Sequence, residues 1–166
     1  MTHFITLLSE DHRRVEELFK QFDETGDHAV AVQVFLELSI HAKVEEETLY
    51  GLYSAKVDNA GAAEARAQHQ EAKDLILALE GMEPGSDEFM TTMTQLKTSV
   101  LHHIDEEEHQ IFPRILEALP ETAEILGAEM VARRAEVEAQ TSVDREVGMA
   151  PSTTSQKPTA SPEPGW

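Results

Sequence analysis

HAKVEEETLYGL at 41–52 and HIDEEEHQIFPRI at 103–115 are the two stretches on which the reading of this chain turns. Each opens on a histidine, carries a Glu-Glu pair four and five positions later, and closes on an aliphatic-aromatic pair, Leu49-Tyr50 or Ile111-Phe112. A histidine and a glutamate four residues apart lie on one face of an α-helix. HRRVEELF at 12–19 and HQEAKDLI at 69–76 form a weaker second match. The sequence therefore reads as a doubled helix pair, which would build a two-ion site with approximate two-fold symmetry.

Outward from these stretches, Gly26-Asp27, Asp58-Asn59 with Gly61, Gly81 to Ser86, and Pro120 are the punctuation of helix ends. Apolar residues in each of the four long segments recur at three-and-four spacing, and none alternates with period two over a strand's length. Short connections make successive helices antiparallel, so the spacing predicts an all-α fold, an up-down-up-down four-helix bundle. Pro120 suits the first turn of a short fifth helix over roughly residues 120–140, with Ile125, Met130 and Val131 capping or flanking the bundle. Residues 1–140 make up this domain and 141–166 a disordered tail. VGMAPSTTSQKPTASPEPGW, at 147–166, gathers four of the seven prolines among Ser, Thr and Gly with little to bury.

Composition narrows the function. The absence of cysteine excludes disulfides, thiolate zinc sites, iron–sulfur ligation and thiol catalysis, so any metal must be held by histidine, carboxylate or phenol oxygen. Asp and Glu total 32 against 13 Lys and Arg, a net charge of -19 that repels phosphate backbones and anionic headgroups. Neither nucleic acid nor a membrane is expected as a partner. The first residues lack the pattern of a secretory leader and no apolar run spans a bilayer, which points to a cytoplasmic location.

Followed at about 100° per residue, the inward stripes run Leu8, His12, Val15; Leu38, His41, Glu45, Leu52; Ala65, His69, Ala72; and Val100, His103, Glu107. One histidine interrupts each stripe near its middle, at broadly similar depth from the connecting loops. A lone histidine on an apolar face is usually a hydrogen-bonded core residue. Glu45 and Glu107 change that reading, because a buried carboxylate is costly without cations or several donors, and no arginine lies on these stripes. Four imidazoles and two carboxylates converging at mid-bundle satisfy a pair of metal ions. His102 lies off the stripe and stays the alternative to His103, while Glu106 and Glu108 belong to a solvated face. Pro113 is expected to kink the fourth helix just past the site.

On His12, His41-x-x-x-Glu45, His69 and His103-x-x-x-Glu107, with the trailing EEETLY and EEEHQIFP, residues 3–118 resemble the hemerythrin-like family, the HHE cation-binding domains. The resemblance implies two Fe ions joined by an oxo or hydroxo bridge. It further implies Glu45 and Glu107 as bridging carboxylates, with His12, His41, His69 and His103 as terminal ligands. The oxygen-carrying members have a second histidine one turn after the third-helix histidine and an Asp in the fourth-helix motif. Here those positions are Lys73 and Glu107. Protonated lysine is a poor ligand, which leaves an open position or recruits another donor. Tyr53, nearer the inward face, is the first candidate for that donor or for a group just behind the ligands; Tyr50 and water are the alternatives.

Three functions follow from such a centre. One is a catalase- or peroxidase-like oxidoreductase acting on hydrogen peroxide, with nitric oxide as a co-substrate, and the loss of the fifth histidine favours it. Another is reversible binding or storage of O2, to which Lys73 is the main objection. The last is an iron, oxygen or redox sensor acting through a separate protein partner.

Overall fold

Each break in the sequence becomes a helix cap. In this computed structural model, which describes residues 3–148, α1 (Phe4–Thr25) ends at Gly26, whose φ of 62° is left-handed and favours glycine. The Asp27 side chain accepts from the Ala29 N–H to start α2 (His28–Lys56). Asp58 does the same for Gly61 at the head of α3 (Asn59–Glu80). A Cβ at Gly61 would stand 2.6 Å from the Tyr53 hydroxyl and 2.8 Å from the capping Asp58 carboxylate, so a larger residue there would displace those side-chain ends. Ser86 caps α4 (Asp87–Glu106), whose first-turn Asp87 and Glu88 suit the positive end of the helix dipole. The result is the expected all-α bundle of four helices, each packed on the next. Among the described residues there is no strand, and no helix is long and apolar enough to cross a membrane.

The kink expected at Pro113 takes the form of a π-turn. Proline lacks an N–H, and its ring would strike the carbonyl one turn back, so the helix widens over Glu107–Ile111, with the Phe112 N–H bonded to the Glu107 carbonyl. It resumes as α5 (Phe112–Ala118). The distortion therefore begins on Glu107 itself.

Three expectations about the C-terminal part need correction. Pro120–Thr122 forms a 3-10 turn, and the fifth major helix, α6 (Ala123–Gly148), spans 26 residues, where roughly 120–140 was expected. Residues 141–148, assigned to the tail, continue this helix; Gln140 bonds Asp144 one turn on, and the Thr141 hydroxyl bonds the Val137 carbonyl. The remainder of the expected tail, 149–166, lies outside the described residues. Met130 is buried as anticipated, but Ile125 and Val131 are 61% and 49% exposed. The stripe that docks α6 on α1 and α2 is instead Leu126, Met130 and Val137.

Where the four stripes meet, polar side chains cut the core in two. One apolar cluster gathers Phe4, Leu8, Leu49, Tyr50, Ala65, Ile111 and Phe112. The other gathers Val15, Phe19, Leu38, Ile76, Leu96 and Val100. Between them lie His12, His41, Glu45, His69, His103 and Glu107, none more than 7% exposed.

Candidate metal centre

Helix periodicity delivers all six residues to one layer, and their atoms fall into two overlapping sets. His12, His41, Glu45 and Glu107 offer ligand atoms that all lie within 4.8 Å of one another; so do Glu45, His69, His103 and Glu107. Both carboxylates belong to both sets. The ring pairs repeat the same geometry, with His12 and His41 centroids 4.9 Å apart at 65° and those of His69 and His103 4.6 Å apart at 65°. The two-fold pseudo-symmetry legible in the sequence is thus present in space.

Behind the histidines runs a closed ring of hydrogen bonds. Asp11 on α1 accepts from His41 Nδ1 on α2 at 3.4 Å, and Glu46 on α2 from His69 Nδ1 on α3 at 3.0 Å. Gln68 on α3 accepts from His103 Nδ1 on α4 at 2.5 Å, and Glu108 in the π-turn from His12 Nδ1 on α1 at 2.8 Å. Each partner is the sequence neighbour of one candidate ligand and serves the next helix round. All four partners present an oxygen acceptor, so each Nδ1 carries the proton and each Nε2 turns a lone pair inward. This is the outer support that metal-binding imidazoles characteristically have.

Inside the ring, acceptors face acceptors. His69 Nε2 and His103 Nε2 are 2.9 Å apart, and His12 Nε2 is 3.2 Å from Glu107 Oε2. His12 Nε2, Glu45 Oε1 and Glu107 Oε2 are buried with no hydrogen-bond partner. Lone pairs held this close, out of water, need a cation between them. Protons do part of that work: burial alone would depress both histidines, but the Glu45 charge and hydrogen bonds to Asp11 and Glu45 push the His41 pKa well above the usual imidazole value, and hydrogen bonds to Glu45 and Glu46 raise that of His69 to about 8. A proton in each set still leaves His12 Nε2, Glu45 Oε1 and Glu107 Oε2 without partners, atoms that metal ions between the two sets would serve. Imidazole nitrogen with carboxylate oxygen suits iron, manganese or zinc.

Tyr50, not Tyr53, is the phenol at the centre. Its hydroxyl donates to Glu107 Oε1 at 2.6 Å and lies 3.1 Å from His69 Nε2 and 3.3 Å from both His103 Nε2 and Glu45 Oε2. Burial and the adjacent Glu107 and Glu45 charges push its pKa well above the usual tyrosine value, so only a stronger local cation would release the proton. Tyr53 is buried too, but its hydroxyl faces Gly61, Asp58 and Arg114 at the end of α2. On the matching side of the pseudo-symmetry Phe112 stacks on His12, at 6.0 Å and 8°.

Lys73 is turned away from the ligand atoms, its ammonium 2.8 and 3.0 Å from the two Glu46 oxygens. The hydrogen bond from His69, and Lys73 beside it, hold the Glu46 carboxyl down at about 2. His102 is exposed and pairs with Glu106, which leaves His103 as the inward residue. Glu106 and Glu108, read as solvated, belong to the outer support: Glu108 directly, Glu106 through the Gln68 amide. Asp11, Glu46 and Gln68 were not singled out in the sequence. Their signal was adjacency to a ligand, which on a helix means a turn of about 100° toward the neighbouring helix.

A cavity of about 40 Å³ opens onto all four histidines. Its walls are mostly apolar, including Val15, Leu38, Ala72, Ile76, Val100 and Ile104, with Ser39, Lys73 and Ser99 as polar members.

The family model described as hemerythrin HHE cation binding domain matches residues 3–115. A Nostoc sp. protein named DNA nickase is 28% identical over 109 residues, 63% of this chain and 31% of its own length. An uncharacterized hemerythrin-like protein of Schizosaccharomyces pombe is 26% identical over 128 residues, 73% of this chain and 63% of its own. The chain thus spans less than two thirds of either relative. The crystal structure of a Mycobacterium kansasii protein containing a hemerythrin HHE cation-binding domain shares the fold, with a TM-score of 0.74 at 24% identity over 90% of this chain and 94% of that one.

Proposed function

Because the chain belongs to the hemerythrin HHE cation-binding domain family, we propose that it is a non-haem di-iron oxidoreductase that converts two molecules of hydrogen peroxide to dioxygen and two of water, with nitric oxide as an alternative reductant. The observation that carries this reading is the pair of ligand sets sharing Glu45 and Glu107, with orphaned buried acceptors at their meeting point. His12 and His41 would hold one ion, His69 and His103 the other, and the two carboxylates would span both. Bound iron would supply the electron storage, each ion changing oxidation state by one electron.

The chain's own groups set the conditions. Nδ1 hydrogen bonds to Glu108, Asp11, Glu46 and Gln68 hold each imidazole with its Nε2 turned inward, where it would serve as the donor to an ion. Tyr50 places a phenol oxygen on the His69–His103 side, where Lys73 offers nothing; deprotonated by a bound cation it would be an anionic oxygen donor that favours the ferric state. That favours peroxide turnover over reversible dioxygen binding, which needs a lasting ferrous form. The narrow apolar cavity has room for a molecule of a few atoms and sheds bulk water.

Metal analysis with an oxygen-electrode assay tests the reading. Two irons per chain and gas release from peroxide are expected. A single zinc, or iron-loaded protein that releases no dioxygen, would overturn it, and a stable reversible adduct of the reduced protein with dioxygen would put the carrier reading in its place.

A further inference from the structure

α6 lies beyond the residues matched by the family model, 3–115, yet one of its side chains reaches the hydrogen-bond ring behind the histidines. Arg134 hydrogen-bonds Asp11 Oδ2 through Nη1, and its Nη2 lies 3.4 Å from Glu37 Oε2. Its Nε is tied to Glu138 at 2.8 Å, which fixes the guanidinium along α6. The Asp11 oxygen that Arg134 grips is the same Oδ2 that accepts from His41 Nδ1.

Three cations back the hydrogen-bond ring: Arg13 on Glu108, Lys73 on Glu46 and Arg134 on Asp11. The Arg13 and Lys73 side chains are 55% and 42% exposed, so solvent screens their ion pairs. Arg134 is 23% exposed and Asp11 12%, which makes this the one well-shielded link. Its counterpart on the other half is built inside the bundle, where Glu106 on α4 holds the Gln68 amide behind His103.

We propose that Arg134 is a positioning residue for the half-site of His12 and His41, so that docking of α6 and occupation of that half-site strengthen one another. Arg134 fixes the Asp11 carboxylate, and the carboxylate fixes the plane and tautomer of His41, which presents its Nε2 lone pair. With α6 lifted, Asp11 loses its clamp and the His41 ring is free to turn or to exchange tautomers. Linkage requires the same factor in both directions: whatever α6 adds to metal affinity, metal adds to the docking of α6.

The inference rests on the reading of the cluster as a metal centre. Its test is an anaerobic titration of the full chain with ferrous iron alone, paired with hydrogen exchange across α6. In Arg134→Gln one of the two ions binds about tenfold more weakly while the other is unchanged, the size usual for loss of an outer partner. Arg134→Lys recovers part of the loss. Arg133→Gln, whose partners Glu47 and Glu136 lie on the surface, changes neither ion. In the wild-type chain iron slows exchange in α6 by the same factor, and in Arg134→Gln it does not. Asp11→Asn tests the link independently should Arg134→Gln fold poorly, and it too weakens a single ion. A wild-type chain that binds no iron defeats the metal-centre reading. Two tightly bound ions in every variant, or equal weakening of both with unaltered coupling to α6, overturn the role of Arg134.

Discussion

The half-site of His12 and His41 and that of His69 and His103 have the same skeleton and different finishing. Both place two rings at 65° over the shared carboxylates. On the first side both outer partners are acids, Glu108 and Asp11, and the ring face of Phe112 covers His12. On the second side one partner is an acid, Glu46, the other the Gln68 amide, and the Tyr50 hydroxyl enters among the ligand atoms. The second side thus trades an outer carboxylate for an inner phenol, which can itself become an anion. In the proposed centre, duplication would set where the ions go, and the unlike residues at matching positions would set how each ion differs.

The severest break in the comparison removes what the halves share. Glu45→Ala should release both ions, taking iron from two per chain to a residue detectable only by elemental analysis. Glu45→Leu should do the same while leaving the chelator-treated protein as stable as wild type or more so, by up to ~4 kcal/mol in denaturant unfolding, since uncompensated buried ionic groups often cost more than apolar replacements. Clear destabilisation would mean that the carboxylate already has adequate partners without metal. Next in size are His41→Ala and His103→Ala, each expected to lose one ion and keep the other. Spectra of the two singly loaded proteins should differ, because a phenol remains in one and not in the other; identical spectra would erase the inequivalence of the halves.

Tyr50→Phe sharpens the comparison by making the two sides more alike. It keeps the ring, so packing in the first apolar cluster survives, and removes an oxygen within 3.3 Å of four ligand atoms. Loss of a visible phenolate-to-iron absorption is expected, with affinity for the ion between His69 and His103 down about tenfold, equivalent to ~1.4 kcal/mol. Unchanged spectrum and affinity would confine Tyr50 to packing.

Why Tyr53 looked the better candidate is instructive. On a helical wheel it lies nearer to Glu45 in angle, but eight residues carry it about 12 Å along the axis, beyond the reach of a phenol. Tyr50 is worse in angle but only about 7.5 Å along, and helical side chains lean back toward the N-terminus, to the level of Glu45. Angle was legible in the sequence and reach was not. The histidines and glutamates needed angle alone, because a spacing of four nearly closes a turn, so all six emerged from the pattern. Asp11, Glu46, Gln68 and Glu108 stayed hidden for the complementary reason: each acts across a helix boundary, and which neighbour it meets depends on the order of helices round the bundle. The sequence reading ended α6 near residue 140 because the chain beyond turns rich in Pro, Ser and Thr; the positions that dock it, Leu126, Met130 and Val137, take effect only once the groove between α1 and α2 exists to receive them.

Phe112→Leu should produce the smallest change, and it tests whether the apolar cover on the first side contributes more than filling. Phe112 is 1% exposed and packs edge-on to Phe4 as well as flat on His12, so truncation costs stability, about 1–2 kcal/mol by comparison with larger core deletions. It donates nothing to the ligand atoms, and Glu108 still holds His12 Nδ1. Iron content and the affinity of both ions should therefore stay at wild-type values while the unfolding midpoint falls. A selective loss of the ion beside His12 would instead show that stacking, and not the Glu108 hydrogen bond alone, sets the plane of that imidazole, and the two halves would then differ in how their rings are held as well as in what surrounds them.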